Sequence, residues 1–113
     1  MKNVTIDGVS FEIPIDAKLK KNSFDNYEDN ELEIQFAIFE EDYAVFAANH
    51  ALESDESMKE IDLDDIPSGA KAYESDANWI NIFIVNKYSN RGIIVGAKDK
   101  TLAIKMINSV IFE

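Results

Sequence analysis

A chain of 113 residues, 46% of them apolar, makes one compact domain with enough side chains to bury a core without covalent staples. Its 22 acidic and 11 basic groups give a net charge of −11, a field that repels phosphate backbones and anionic membranes, so neither nucleic acid nor a membrane surface is an expected partner. The absence of cysteine excludes disulfides, zinc ribbons and thiol nucleophiles, and a single histidine excludes a multi-histidine metal site, so no metal and no cofactor is expected.

Met1 and Lys2 lead straight into alternating polar residues with no apolar stretch behind them, so no signal peptide is read. The longest uncharged run, residues 77–86, holds three asparagines and falls short of the roughly 20 apolar residues that cross a bilayer. The expected location is cytoplasmic. Val4 and Ile6, then Asp7-Gly8, then Val9, Phe11 and Ile13 form two alternating runs around an Asp-Gly pair, the strongest short-range hairpin signal. Pro14, which lacks an amide donor, ends the second run. Residues 15–30 are polar and punctuated by Asn and Ser, and read as a long connection.

Leu32, Ile34, Phe36 and Ile38 alternate with Glu31, Glu33, Gln35 and Ala37, the pattern of a strand with one wet face. Glu40, Glu41 and Asp42 then make an acidic turn, and residues 43–48 are apolar enough for an interior strand. A helix is expected over residues 51–61, where Ala51, Met58 and Ile61 oppose Glu53, Glu56 and Glu60, and Ser57 with Glu60 has capping-box spacing. Residues 79–85 and 93–97 form a second strand pair joined by Lys-Tyr-Ser-Asn-Arg-Gly. The clearest helix follows Asp99, a capping residue, with Leu102, Ala103, Met106, Ile107, Val110 and Ile111 on one side.

Ile13-Pro14-x-x-Ala17-Lys18 recurs as Ile66-Pro67-x-x-Ala70-Lys71, each copy ahead of a strand, a turn, a more apolar strand and a helix. This order raises an internal repeat over 13–61 and 66–111 within a single domain of 1–113. The expected fold is therefore α+β: a mainly antiparallel sheet built from an N-terminal hairpin and two β-β-α units, with the helices on one face. The opening Val-Ser-Phe-Glu-Ile-Pro and the closing GIIVGAKDKTLAIKMINSVIF resemble the small PsbP-like α+β domains, which open on a strand leading into Ile-Pro or Val-Pro and close on paired strands and a helix. The resemblance covers the first 14 and last 35 residues; the tryptophan common after the family's early proline is absent. It implies a non-catalytic accessory or assembly role and transfers no catalytic residue.

His50 is the one candidate general base near pH 7, with no cysteine and no Gly-x-Ser-x-Gly to partner it, and a solvated or structural histidine is the plainer reading. Ser68-x-x-Lys71 has serine–lysine nucleophile spacing but sits in Pro67-Ser68-Gly69, a turn sequence. The acids from Glu53 to Asp65 lack the glycine of a calcium-binding loop and read as a solvated surface. Trp79, Tyr27, Tyr43, Tyr73 and Tyr88 lie at strand ends or in connections, where aromatic rings anchor interfaces. The preferred function is a non-catalytic protein-interaction or accessory domain with an acidic binding surface, its partner-binding residues Glu40, Glu41, Asp42, Tyr43 and Tyr88, and its partner a protein, with basic ones favoured by charge. The alternatives are an acidic inhibitor or immunity-type protein covering a basic site, and a small hydrolase or isomerase using His50.

Overall fold

Asp7 and Gly8 take φ of 52° and 81°, the two left-handed centres of a type I′ turn, and fold Lys2–Ile6 (β1) back on Val9–Ile13 (β2) with Ile6 opposite Val9. The computed structural model describes residues 1–22, 26–39, 50, 54–75, 77–86, 88 and 91–113. Val9, Phe11 and Ile13 alternate to one side of β2 and are wholly buried. Ile111–Phe112 (β10) pairs with the other side of β2, completing a three-stranded antiparallel sheet. The Glu12 amide, facing away from β1, donates to Ser109 Oγ at 2.8 Å.

A second, seven-stranded sheet carries the rest of the strands, each pair antiparallel: Lys20–Lys21 (β3), Tyr27–Asp29 (β4), Ile34–Phe39 (β5), Lys59–Ile61 (β6), Lys71–Glu74 (β7), Ile80–Asn86 (β8) and Arg91–Ala97 (β9), in the spatial order β3-β4-β5-β9-β8-β7-β6. β5 lies near the middle of this sheet, and β6, the next described strand in the sequence, lies at its far edge. Ile34 and Phe36 on β5, Ile80 and Ile82 on β8, and Ile93, Val95 and Ala97 on β9 point to one face. Covering that face are the inner side of β2 and the helix Lys100–Asn108 (α1). Asp99 caps α1 as its sequence foretells, its carboxylate accepting from the Thr101 amide at 2.9 Å and the Leu102 amide at 3.3 Å. Ala103, Met106 and Ile107 are fully buried beneath it. Phe36 joins the two sheets: its ring meets Phe11 edge-on at 4.7 Å and stacks on Tyr27 at 5.2 Å. The radius of gyration, 12.9 Å, is that of a single compact domain.

The expected α+β arrangement, two β-β-α units with helices on one face, is therefore incorrect: the described residues are strand-dominated, with two antiparallel sheets sharing a core that α1 helps to close. Three local readings account for the error. The connection read over 15–30 contains β3 and β4, because Tyr27 gains a ring to stack on and Asp29 gains three amides, contacts that outweigh a polar composition. The helix expected to run to Ile61 gives way to β6, because Asp55 Oδ1 takes both the Ser57 amide at 2.9 Å and the Ser57 hydroxyl at 2.7 Å, spending the capping serine on a turn. Residues 51–53 of that helix lie outside the described residues, as do the acidic turn at 40–42 and the interior strand at 43–48. At the other end, α1 stops at Asn108 with Ser109 as its cap, and Ile111, placed on the helix's apolar side, belongs to β10 and is 64% exposed.

The two Ile-Pro-x-x-Ala-Lys copies make the same contact. The Ala17 amide donates to the Pro14 carbonyl at 3.0 Å and the Ala70 amide to the Pro67 carbonyl at 3.1 Å, each turn preceding a strand, β3 and β7. The second copy continues through β8, β9 and α1.

Candidate functional site

The β8–β9 hairpin carries Tyr88 at its tip, fully exposed. Phe39, the last residue of β5, pairs with Gly92, which lies one position from the turn end of that hairpin. Arg91, the only arginine, opens β9 at this same end. Its guanidinium lies against the β1–β2 turn: a Cβ on Gly8 would stand 3.0 Å from Arg91 Nε and Cζ and would push that side chain aside, while the φ of 81° favours glycine there. Arg91 Nε is enclosed and has no acceptor among the described residues. The C-terminal residue joins the same turn, the Glu113 amide donating to the Gly8 carbonyl at 2.8 Å while Ser10 Oγ donates to the Glu113 carboxylate at 2.9 Å. One end of the molecule thus gathers Tyr88, Arg91, Asp7 and Glu113.

Of the residues named from the sequence, Tyr88 is fully exposed. Glu40, Glu41, Asp42 and Tyr43 lie outside the described residues. Tyr73 is 4% exposed and belongs to a packed cluster and Tyr27 is half-buried on Phe36, so these two rings pack within the domain, while Trp79 is half-buried ahead of β8. His50 is exposed, and its carbonyl accepts the Ser54 hydroxyl at 2.7 Å. Ser68 lies in the turn before β7 and Lys71 begins that strand. Among the described residues no three acidic or histidine side chains converge as metal ligands, and no helix is long and apolar enough to cross a membrane.

The acidic groups with displaced titration are structural. Asp29 is held below the usual carboxylate range chiefly by the Lys18 amide, which donates to Oδ2 at 2.8 Å, then by the Leu32 and Glu31 amides on Oδ1 at 3.1 and 3.0 Å. Asp55 is lowered by the Ser57 hydroxyl and amide. A carboxylate whose folded pKa is depressed stabilises the fold in full above its unfolded pKa of about 3.9 and loses that contribution as pH falls through the folded value. Asp29→Asn should accordingly be less stable than the parent at pH 7 and lose less on going to about pH 2. Equal losses in urea denaturation at the two pH values would contradict this account.

What the sequence reading missed is the second face of the large sheet. It is not wet: Ala37, Tyr73 and Phe83 are 3–5% exposed there, with Phe39, Met58, Val85 and Ile94 packed about them. The signal lay in β8, where Phe83 and Val85 are as apolar as Ile82 and Ile84, a run that marks a strand covered on both faces. Comparison with family models, with curated proteins and with solved structures finds no match.

Proposed function

We propose that the protein is a non-catalytic interaction domain whose acidic surface receives a protein partner, a basic one by charge. The observation that carries the reading is Tyr88, a wholly exposed ring at the tip of a hairpin whose turn end adjoins Phe39, the residue that Glu40, Glu41 and Asp42 follow in the sequence. Large rings of this kind supply contact area at little entropic cost, and clustered carboxylates speed encounter with a basic surface. Charge is unevenly spread along the sequence, −13 over residues 1–65 against +2 over the remainder, so the first half is the attracting one. The resemblance of the chain's two ends to PsbP-like domains implies the same accessory role.

The test is affinity capture from native lysate followed by binding kinetics with the captured protein. Changing Glu40→Gln, Glu41→Gln and Asp42→Asn together should slow association by about tenfold at low salt and flatten its salt dependence, leaving dissociation nearly unchanged. Kinetics that ignore both salt and the triple change would overturn the reading.

A further inference from the structure

On the second face of the large sheet the strand registers set one row of side chains across five strands. Gln35 of β5 pairs with Gly96 of β9, Gly96 with Asn81 of β8, and Asn81 with Tyr73 of β7, while Glu28 of β4 lies beyond Gln35. Gly96 therefore sits between two carboxamides. A Cβ at that position would stand 2.7 Å from Asn81 Oδ1 and 3.2 Å from Gln35 Cγ, so the missing side chain is what lets both amides converge. Above them is a cavity of about 200 Å³ walled by Ala37, Ile94 and Met58, with no charged residue in its lining.

Asn81 is 3% exposed, yet its hydrogen bonding is incomplete. Its Nδ2 reaches only Met58 Sδ at 3.9 Å and the Trp79 carbonyl at 3.4 Å, both at the outer limit of a bond, and its Oδ1 accepts nothing among the described residues. The Gln35 carboxamide likewise has no partner among the described residues. The unbonded edges of the two carboxamides stay open to solvent through the cavity, so a ligand that offers both a donor and an acceptor can replace water there. The uncharged lining rejects ions, the apolar wall accepts a flat hydrocarbon surface, and each carboxamide offers one donor edge beside one acceptor edge. The complementary group is another amide.

We infer that the Gln35–Gly96–Asn81 row is a binding site for a neutral planar amide whose apolar part lies against Ala37, Ile94 and Met58. This site lies on the second face of the large sheet rather than at the hairpin turn that carries Tyr88, and neither reading depends on the other. Two sources of the amide share this chemistry: a free small carboxamide, and a glutamine or asparagine side chain of a peptide.

The experiment is titration of the full chain, isotopically labelled, with benzamide, benzoate and toluene, and with acetyl-Ala-Gln-Ala-N-methylamide against its Ala-Met-Ala counterpart. Benzamide should move the side-chain amide signals of Asn81 and Gln35 and the backbone amide of Gly96 in a saturable way, with benzoate and toluene at least about tenfold weaker because neither offers the carboxamides both a donor and an acceptor. Response to the glutamine peptide with none to benzamide would place the amide on a peptide side chain and equally support the site. Gln35→Leu, at a half-buried position, should weaken amide binding about tenfold with the rest of the spectrum unchanged, and Gly96→Ala should abolish it by filling the cleft. Toluene binding as well as benzamide, Gln35→Leu binding as well as the parent, or silence of all three signals toward both amides would overturn the proposal.

Discussion

Phe36→Ala should cost about 3 to 5 kcal/mol of folding stability. The side chain is 1% exposed and touches one ring from each side of the core, Phe11 of the three-stranded sheet and Tyr27 of the seven-stranded one. Truncation removes the apolar burial of the largest class of side chain and leaves a cavity that rigid strands on both sides cannot close. It also deletes both aromatic contacts, each adding about 0.5 to 1.5 kcal/mol beyond burial. Ile111→Ala, at a position 64% exposed, serves as the control and should change stability by no more than about half a kcal/mol. If urea denaturation gave the two variants similar midpoints, Phe36 would not be the bridge between the sheets.

Met106→Ala should cost about 2 to 5 kcal/mol. Met106 is fully buried on the underside of α1, in the cluster that contains Ile82, Ile93 and Val95, where the helix presses on β8 and β9. The cost should fall toward the lower end of that range if neighbouring chains relax into the gap, and Met106→Leu, which nearly conserves volume, should cost less than about 1.5 kcal/mol. A loss under half a kcal/mol for the alanine variant would mean that α1 is not seated on the sheet as drawn.

The parts of the fold that could be read from the sequence are those whose signals are local. An Asp-Gly pair demands left-handed backbone at both positions whatever surrounds it, and Asp99 satisfies amides two and three residues on. The β8–β9 hairpin announced itself through two apolar runs about a turn sequence. Illegible were elements whose stability is supplied from elsewhere. β4 is a strand because Phe36 and three amides await it, and β6, with Lys59 and Glu60 exposed, is held by pairing with β7. The charge asymmetry and the exposure of Tyr88 followed from counting and from turn position. The amide row did not, because Gln35, Asn81 and Gly96 are far apart in sequence and become neighbours only through the β5–β9 and β8–β9 registers.

The placement of β10 also bears on how the molecule comes into being. The last strand docks on β2, and Ser10 meets Glu113 across 103 positions of chain. Loop closure over that distance must be met before the contacts it brings are gained. On the ribosome, synthesis runs from the other end, so β2 emerges early and waits with Val9, Phe11 and Ile13 uncovered until β5, β8, β9 and α1 have followed. A growing chain thus carries uncovered apolar surface from the appearance of β2 until α1 has followed. The charge of −13 over residues 1–65 sets such chains to repel one another during that interval.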